Sequence, residues 1–373
     1  MQLLKTSKES ILKPLQTVAG IIENRSAKPI LVNVLIEKKG GQLSFLATDE
    51  SVQIKTHAQI GLGDSEMATT VAARKLLDIL RALPDGADVS LEEEGGMIVV
   101  KSGRSRYTLQ TLPSMDYPVV KQPENWTLSF AMPQRILCKL LNQVHYAMAE
   151  KDIRYYLNGV LLEFKGNVLT AVATDGHRMA KSVAVVEGIS GADHSIIIPR
   201  KAIHELQRLL DESDELVTVG LTDSQISLSF GDVEIVSKLV EGKFPDYSRV
   251  IDTTYEISIH INREELLGAL RRSTVLLAAD KKDQKGVKLH FENNMLRLQA
   301  HNSEQEESME EVAIHYEGVP IDTAFKSSYL QDVLAMAKSE EVVWTCQSSG
   351  SSSVFITIPQ DDTFRYVVMP MRV

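Results

Sequence analysis

Apolar residues along the chain keep two rhythms that alternate. Ile11, Leu12, Leu15, Val18 and Ile22 fall on one helical face, with Ser7 or Ser10 available as a cap. Pro14 fits such a helix if it lies in the first turn. A period of two takes over in 30–37, 42–47 and 52–59, which read as strands. Residues 74–83 return to helical spacing and are stopped by Pro84-Asp85-Gly86, and three strands follow at 88–93, 97–101 and 106–112. The order then recurs. A helix starts at Pro133 with Ile136, Leu137, Leu140, Leu141, Val144 and Met148 on its apolar side. Strands 160–164 and 168–173 meet at a Gly166-Asn167 turn, and helix 201–210 precedes strands 216–221, 225–230 and 233–239. Helices 263–279 and 328–337, with strands 342–347, 353–358 and 365–369, form a third round.

The recurrence extends to individual residues. Asn33-Val-Leu-Ile-Glu runs through Gly40-Gly41 into Thr48-Asp49, as Asn158-Gly-Val-Leu-Leu-Glu runs through Gly166-Asn167 into Thr174-Asp175. A worn copy passes from Gly286-Val-Lys-Leu-His-Phe through Asn293-Asn294 to Asn302-Ser303. Thr48 and Thr174 are 126 residues apart, and Thr174 and Asn302 are 128 apart. A period this long signals tandem copies of a whole domain, since solenoid units are much shorter. Three α+β domains are expected, at 1–124, 125–250 and 251–373, each with two helices on antiparallel sheet. Stretches 114–124 and 240–249 serve as linkers.

Composition is that of a globular protein, with 43% hydrophobic and 24% charged residues. No apolar run is long enough to span a bilayer, and the start lacks the apolar segment of a signal peptide. Cys138 and Cys346 lie in different repeats without metal-ligand spacing, so buried free thiols in a reducing cytoplasm are expected. The net charge of −10 argues against a nucleic-acid partner until its distribution is considered. Stretches 5–28, 74–81, 135–154, 200–208, 263–272 and 326–338 hold 20 basic and 9 acidic residues. The remainder carries a net charge of −21. Basic helices and acidic sheets suit an anionic partner on one surface and repulsion elsewhere.

Asp175-Gly-His177-Arg178 resembles acid–base equipment, and Asp49 and Asp175 could suggest metal ligands. Neither has an activated Ser or Cys nearby in sequence or a second carboxylate at ligand spacing, and Asp before Gly usually shapes a turn. A hydrolase or nuclease centred on Asp175 and His177 remains the alternative to a non-enzymatic protein.

Arg154-Tyr-Tyr-Leu-Asn-Gly, Ala173-Thr-Asp-Gly-His-Arg-Met-Ala, Ser237-Lys-Leu-Val-Glu-Gly-Lys-Phe-Pro-Asp-Tyr-Ser-Arg-Val and Tyr366-Val-Val-Met-Pro-Met-Arg-Val closely resemble the bacterial replicative sliding clamps, the beta subunits of DNA polymerase III. Leu83-Pro-Asp-Gly and Lys101-Ser-Gly-Arg-Ser-Arg extend the resemblance over the whole chain. It implies a non-catalytic processivity factor, a head-to-tail homodimeric ring around double-stranded DNA with helices lining the hole, and no metal or cofactor. Expected partners are the polymerase III alpha subunit, the clamp loader, and other polymerases and repair proteins with a clamp-binding peptide, in the cytoplasm. The resemblance maps DNA contacts onto Arg25, Arg74, Lys151, Tyr155, Tyr156, Arg200 and Lys201, of which one tyrosine could be a core residue. It maps a peptide cleft onto Leu157, Thr174, Gly176, His177, Arg178, Met179, Pro245, Arg249, Val250, Ser353, Val367, Val368, Met369, Pro370, Met371 and Arg372. Leu157, Val250, Val367 and the methionines would form an adaptable apolar pocket, with Arg178, Arg249 and Arg372 holding carboxylates. Met179 and Lys326 depart from the Leu and Asn that the pattern implies. The dimer interface would join Arg104, Arg106, Thr108 and Leu109 to Leu276, Leu277, Glu306 and Glu310.

Overall fold

A computed structural model describes residues 2–23, 26–59, 66–189, 193–251, 253, 255–279 and 286–371. Its α-helices are α1 (Lys8–Ala19), α2 (Ala73–Ala82), α3 (Gln134–Val144), α4 (Arg200–Leu209), the single turn α5 (Ser248–Ile251), α6 (Arg263–Ser273) and α7 (Ser327–Met336). None is long and apolar enough to cross a membrane. Among the described residues the strands form four antiparallel sheets divided between two compact units.

The first unit comprises Met1–Arg135 and His204–Leu239. Its eight-stranded sheet runs in the order Met67–Ala72, Asn33–Lys39, Gln42–Thr48, Val52–Gln59, Val233–Lys238, Gln225–Phe230, Leu216–Leu221, Leu128–Pro133. A four-stranded sheet runs Gln2–Ser7, Asp88–Glu94, Met97–Ser102, Ser105–Gln110. The second unit comprises Ile136–Ile203 and Val240–Val373. Its eight-stranded sheet is His194–Pro199, Gly159–Lys165, Val168–Thr174, Arg178–Val185, Asp361–Val368, Val354–Ile358, Glu341–Cys346, Ile257–Asn262. Its four-stranded sheet is Glu307–Ala313, Met295–His301, Gly286–Glu292, Ile321–Lys326.

Sequence repeat and compact unit are therefore out of phase. Each large sheet takes four strands from one repeat and four from the next. A strand such as Val52–Gln59, left at the edge of its own repeat, would expose a row of unpaired backbone groups. It finds Val233–Lys238 instead, with Ile235 opposite Ile54. Arg178–Val185 meets Asp361–Val368 in the same way, Met179 opposite Val367.

Local chemistry accounts for the helix ends. The Ser7 hydroxyl accepts from the Ser10 amide, and Ile11, Leu15 and Val18 bury the apolar face of α1. Each such burial stabilises by about 1.5–3 kcal/mol. That packing carries the helix past Pro14, which stands in its interior rather than in the first turn. The buried Lys8 ammonium donates to the Leu83 carbonyl at 2.7 Å and to Asp85 at 2.9 Å, while Glu9 accepts from the Gly86 amide at 2.8 Å. The Pro84-Asp85-Gly86 turn is thus tied to the first turn of α1. At the other end, Arg208 of α4 pairs with Glu205 and donates to the Thr17 carbonyl at 2.5 Å. A Cβ on Gly20 would stand 2.6 Å from both side chains, so this close approach needs glycine.

Several sequence expectations shift. Gln2–Ser7, Leu128–Pro133 and Ile257–Asn262 are strands that the apolar pattern did not reveal. The helix expected over 263–279 breaks after Ser273 into a turn at Leu276–Ala279. As bounded by the structure, the six longer helices carry 13 basic and 6 acidic residues. Lys5, Lys28, Lys151, Arg154, Lys326 and Lys338 flank them instead, so the helical excess is smaller than the sequence stretches implied.

Candidate functional site

The repeated Thr-Asp pair builds a corner. The Asp49 Oδ1 accepts from the Ser51 and Val52 amides at 2.9 and 2.8 Å, and the Thr48 hydroxyl spans to the Val52 carbonyl. In the second copy the Asp175 Oδ1 accepts from the His177 and Arg178 amides at 2.9 and 3.0 Å. The Thr174 hydroxyl donates to the Arg178 carbonyl at 2.6 Å. The worn copy does this with Asn302, whose Oδ1 takes the Glu304 and Glu306 amides. In all three the turn contains a left-handed residue: Glu50 at φ 72°, Gly176 at 91°, Gln305 at 67°. The second position is also crowded, because a Cβ on Gly176 would lie 3.0 Å from the Arg154 guanidinium.

Arg178 is the centre of this corner and is almost fully buried. Its Nε donates to Asp175 Oδ2 at 3.1 Å and its Nη1 to Asp332 at 2.6 Å, while Nη2 donates to the Tyr146 carbonyl. The Tyr329 ring lies under the guanidinium at 4.3 Å. Burial alone would lower the Arg178 pKa; Tyr366, Asp332 and Asp175 outweigh it and keep the group firmly charged. The Tyr329 phenol is pushed up to about 12 by burial and by Asp175. Arg178 is therefore a strut inside the corner, and its guanidinium is not free to hold an incoming carboxylate as the sequence reading expected.

Beside the corner, Leu157, Met179 and Val367 join one buried apolar cluster with Ala149, Phe244, Ile251 and Phe355. Val250 and Met369 stand 42% and 52% exposed, and His177, Pro245 and Arg249 are exposed as well. Thr174 and Val368 sit in the sheet, and the half-buried Ser353 immediately precedes the strand Val354–Ile358; Val368 is fully buried but outside the cluster, as strand alternation requires. The tail is fastened at two points. The Met369 amide donates to the His177 carbonyl and the Met371 amide to the Ala324 carbonyl, at 2.9 and 2.8 Å. Pro370 and Met371 thereby leave the apolar cluster and line a cavity of ≈ 560 Å³ with Lys288, His290 and Asp322. Arg372 lies outside the described residues.

The candidate DNA residues divide. Arg25 lies outside the described residues. Arg74 on α2 is exposed and makes one long bond, 3.4 Å, to the Ile22 carbonyl. Lys151 is exposed at φ 55°, and Tyr155 is 58% exposed while Tyr156 packs on the apolar cluster. Arg200 is turned toward the Met148 and Ala149 carbonyls at 3.2 and 3.4 Å, bracing that loop, and Lys201 is half-buried.

Of the candidate interface residues, Arg104 and Thr108 are exposed, and Arg106 pairs with Glu94 at 2.6 Å. Glu310 pairs with Arg272 at 2.7 Å, and Glu306 accepts from Asn302 at 2.6 Å. Leu109 and Leu277 are buried within their own units and Leu276 is half-buried, so the leucines are core more than contact surface. Ser105–Gln110 and Glu307–Ala313 each end a four-stranded sheet. Among the described residues no three His, Cys, Asp or Glu side chains are grouped to hold a metal ion.

Comparison with known proteins decides the family. Models of the N-terminal, central and C-terminal domains of the DNA polymerase III beta subunit match residues 2–121, 131–246 and 248–372. The chain belongs to the sliding clamp family. It is 40% identical over 365 residues to the beta sliding clamp of Pseudomonas aeruginosa, covering 98% of each chain. To the beta sliding clamp of Escherichia coli K12 it is 38% identical over 367 residues, again 98% of each. The crystal structure of the Pseudomonas aeruginosa clamp bound to griselimycin superposes with a TM-score of 0.92 at 40% identity, covering 100% of both chains.

This sliding clamp is thus a replicative processivity factor built from three tandem clamp domains, and it is non-catalytic. The hydrolase reading falls with that assignment. The corner gives the physical reason, since Asp175 is committed to two amides and Arg178. Sequence reasoning missed Tyr146, Tyr329 and Asp332, the partners that immobilise Arg178. No local signal announces them, because Asp332 stands 154 residues away.

Proposed function

We propose that two copies of this clamp close head to tail around duplex DNA and that partner proteins dock an extended peptide in the apolar cleft. The observation that carries the cleft is the buried floor of Leu157, Met179 and Val367 beside exposed Val250 and Met369. A floor already packed needs little reorganisation to receive a Leu or Phe anchor, and the thioether of Met369 can adapt to its shape. The sheet edges support the ring. Ser105–Gln110 is flanked by Arg104 and contains Arg106, whereas Glu307–Ala313 carries Glu307, Glu310 and Glu311. Edge strands of opposite charge are suited to pair with each other and not with themselves.

Arg25, Arg74, Lys151, Tyr155, Tyr156, Arg200 and Lys201 then contact the duplex. Lys and Arg neutralise phosphates without reading sequence, as sliding requires. The alpha subunit of polymerase III, the clamp loader and other polymerases and repair proteins share the cleft, in the cytoplasm where the chromosome lies. The domains run 1–124, 125–250 and 251–373.

Deleting residues 369–373 tests the cleft. The deletion removes Met369 and both tail fastenings. Burial of a single Leu or Phe is worth about 1.5–3 kcal/mol, so affinity for a polymerase peptide should fall at least about tenfold. Dimer mass by light scattering should not change. Wild-type peptide affinity in the truncated protein, or its collapse to monomers, would contradict this division of surfaces.

A further inference from the structure

An acidic residue in a docked peptide needs a cation, and Arg178 is already bound on three sides. Lys326 is a different case. It ends the strand Ile321–Lys326 and precedes α7, half-buried, with no carboxylate partner among the described residues. Its ammonium sits 5.0 Å from the centre of the Tyr329 ring, the ring that Arg178 covers at 4.3 Å. The two cations therefore share one aromatic ring. The Tyr329 phenol in turn lies against Asp175, whose carboxylate holds the His177 amide. The tail reaches the same strand, since Met371 bonds to Ala324 two residues before Lys326. Lys326 is thus fixed at the His177–Met371 end of the apolar cleft.

No carboxylate among the described residues forms an ion pair with it. Asp175 and Asp332 both answer Arg178. A cation held on an aromatic face keeps its charge and is restricted in position, while its outward N–H groups remain available. We infer that Lys326 is a specificity-determining residue of the cleft, selecting partner peptides with a carboxylate flanking their apolar anchors at the tail end. This rests on the peptide-docking reading above.

The test uses the full-length dimer and synthetic hexapeptides with identical Leu and Phe anchors, differing only in Glu or Gln at one flanking position. Each pair is made twice, with the variable residue before or after the anchors. Wild-type protein should prefer Glu over Gln about threefold to fivefold at one of the two positions and show no preference at the other. The preference should shrink in 0.5 M salt (about a 4 Å screening length). It should vanish in Lys326→Gln and persist in Lys326→Arg, with the Gln peptide binding all three proteins alike. An undiminished Glu preference in Lys326→Gln, or none in the wild type at either position, would overturn the inference alone. Failure of every peptide to bind wild-type protein would overturn the cleft reading beneath it.

Discussion

Single residues in this clamp work mainly by fixing others. Removing the Arg178 side chain takes away the donor that Asp175, Asp332 and the Tyr146 carbonyl share. Arg178→Ala should cost about 3 kcal/mol, the lower end for a broken buried pair because Asp332 is 40% exposed. Urea denaturation measures this, and Arg178→Lys should recover part of the loss. A cost within about 0.5 kcal/mol, ordinary for a surface site, would show that the strut bears no strain. His290 offers a pH-dependent counterpart. Hydrogen bonding to Asp322, then to Glu292, raises its pKa above the ordinary 6.5. Its contribution is fully present below the unfolded value and is lost as pH rises through the folded one. Thermal stability should therefore decline from slightly acid to slightly alkaline pH, and by less in His290→Asn. An NMR titration with His290 at or below 6.5 would refute the assignment. At this scale the sequence showed that Asp175 before Gly176 shapes a turn, because side chain, turn and strand end are local. The fate of Arg178 was not legible, because its partners come from α7 and from a backbone carbonyl.

Elements are where pattern and structure agree best and where one omission matters. Helices over 74–83, 201–210 and 328–337 differ from α2, α4 and α7 by a residue at each end, since strong 3.6-residue periodicity and flanking turns mark them. Gln2–Ser7 and Leu128–Pro133 escaped notice because each is short and continues directly into a helix, so its alternation merges with the helical pattern. That each large sheet takes strands from two repeats was also hidden, because backbone pairing leaves no sequence signature of its own. The same backbone logic governs the free edges Ser105–Gln110 and Glu307–Ala313. Arg104→Glu with Arg106→Glu would place like charges opposite Glu307 and Glu311 in the proposed dimer. The dimer dissociation constant should rise about tenfold or more, and Glu307→Lys with Glu311→Lys in the same chain should restore it. Light scattering across a dilution series reads this directly; an unshifted dimer would remove these edges from the interface.

At the scale of the whole molecule, the period of about 126 residues was legible and the grouping of its copies was not. Two compact units emerge from three repeats because the middle repeat contributes strands to both eight-stranded sheets. The net charge of −10 allows little ordinary affinity for DNA, although the six longer helices carry a basic excess. A protein so charged can stay on DNA if it is linked to it topologically, and affinity need not hold it there. The most direct test loads the clamp onto nicked circular DNA with its cognate loader, removes the loader, and cuts the circle once at moderate salt. The clamp should remain on the uncut circle through gel filtration and leave the linear molecule by sliding off its ends. Equal retention on circular and linear DNA would contradict encirclement.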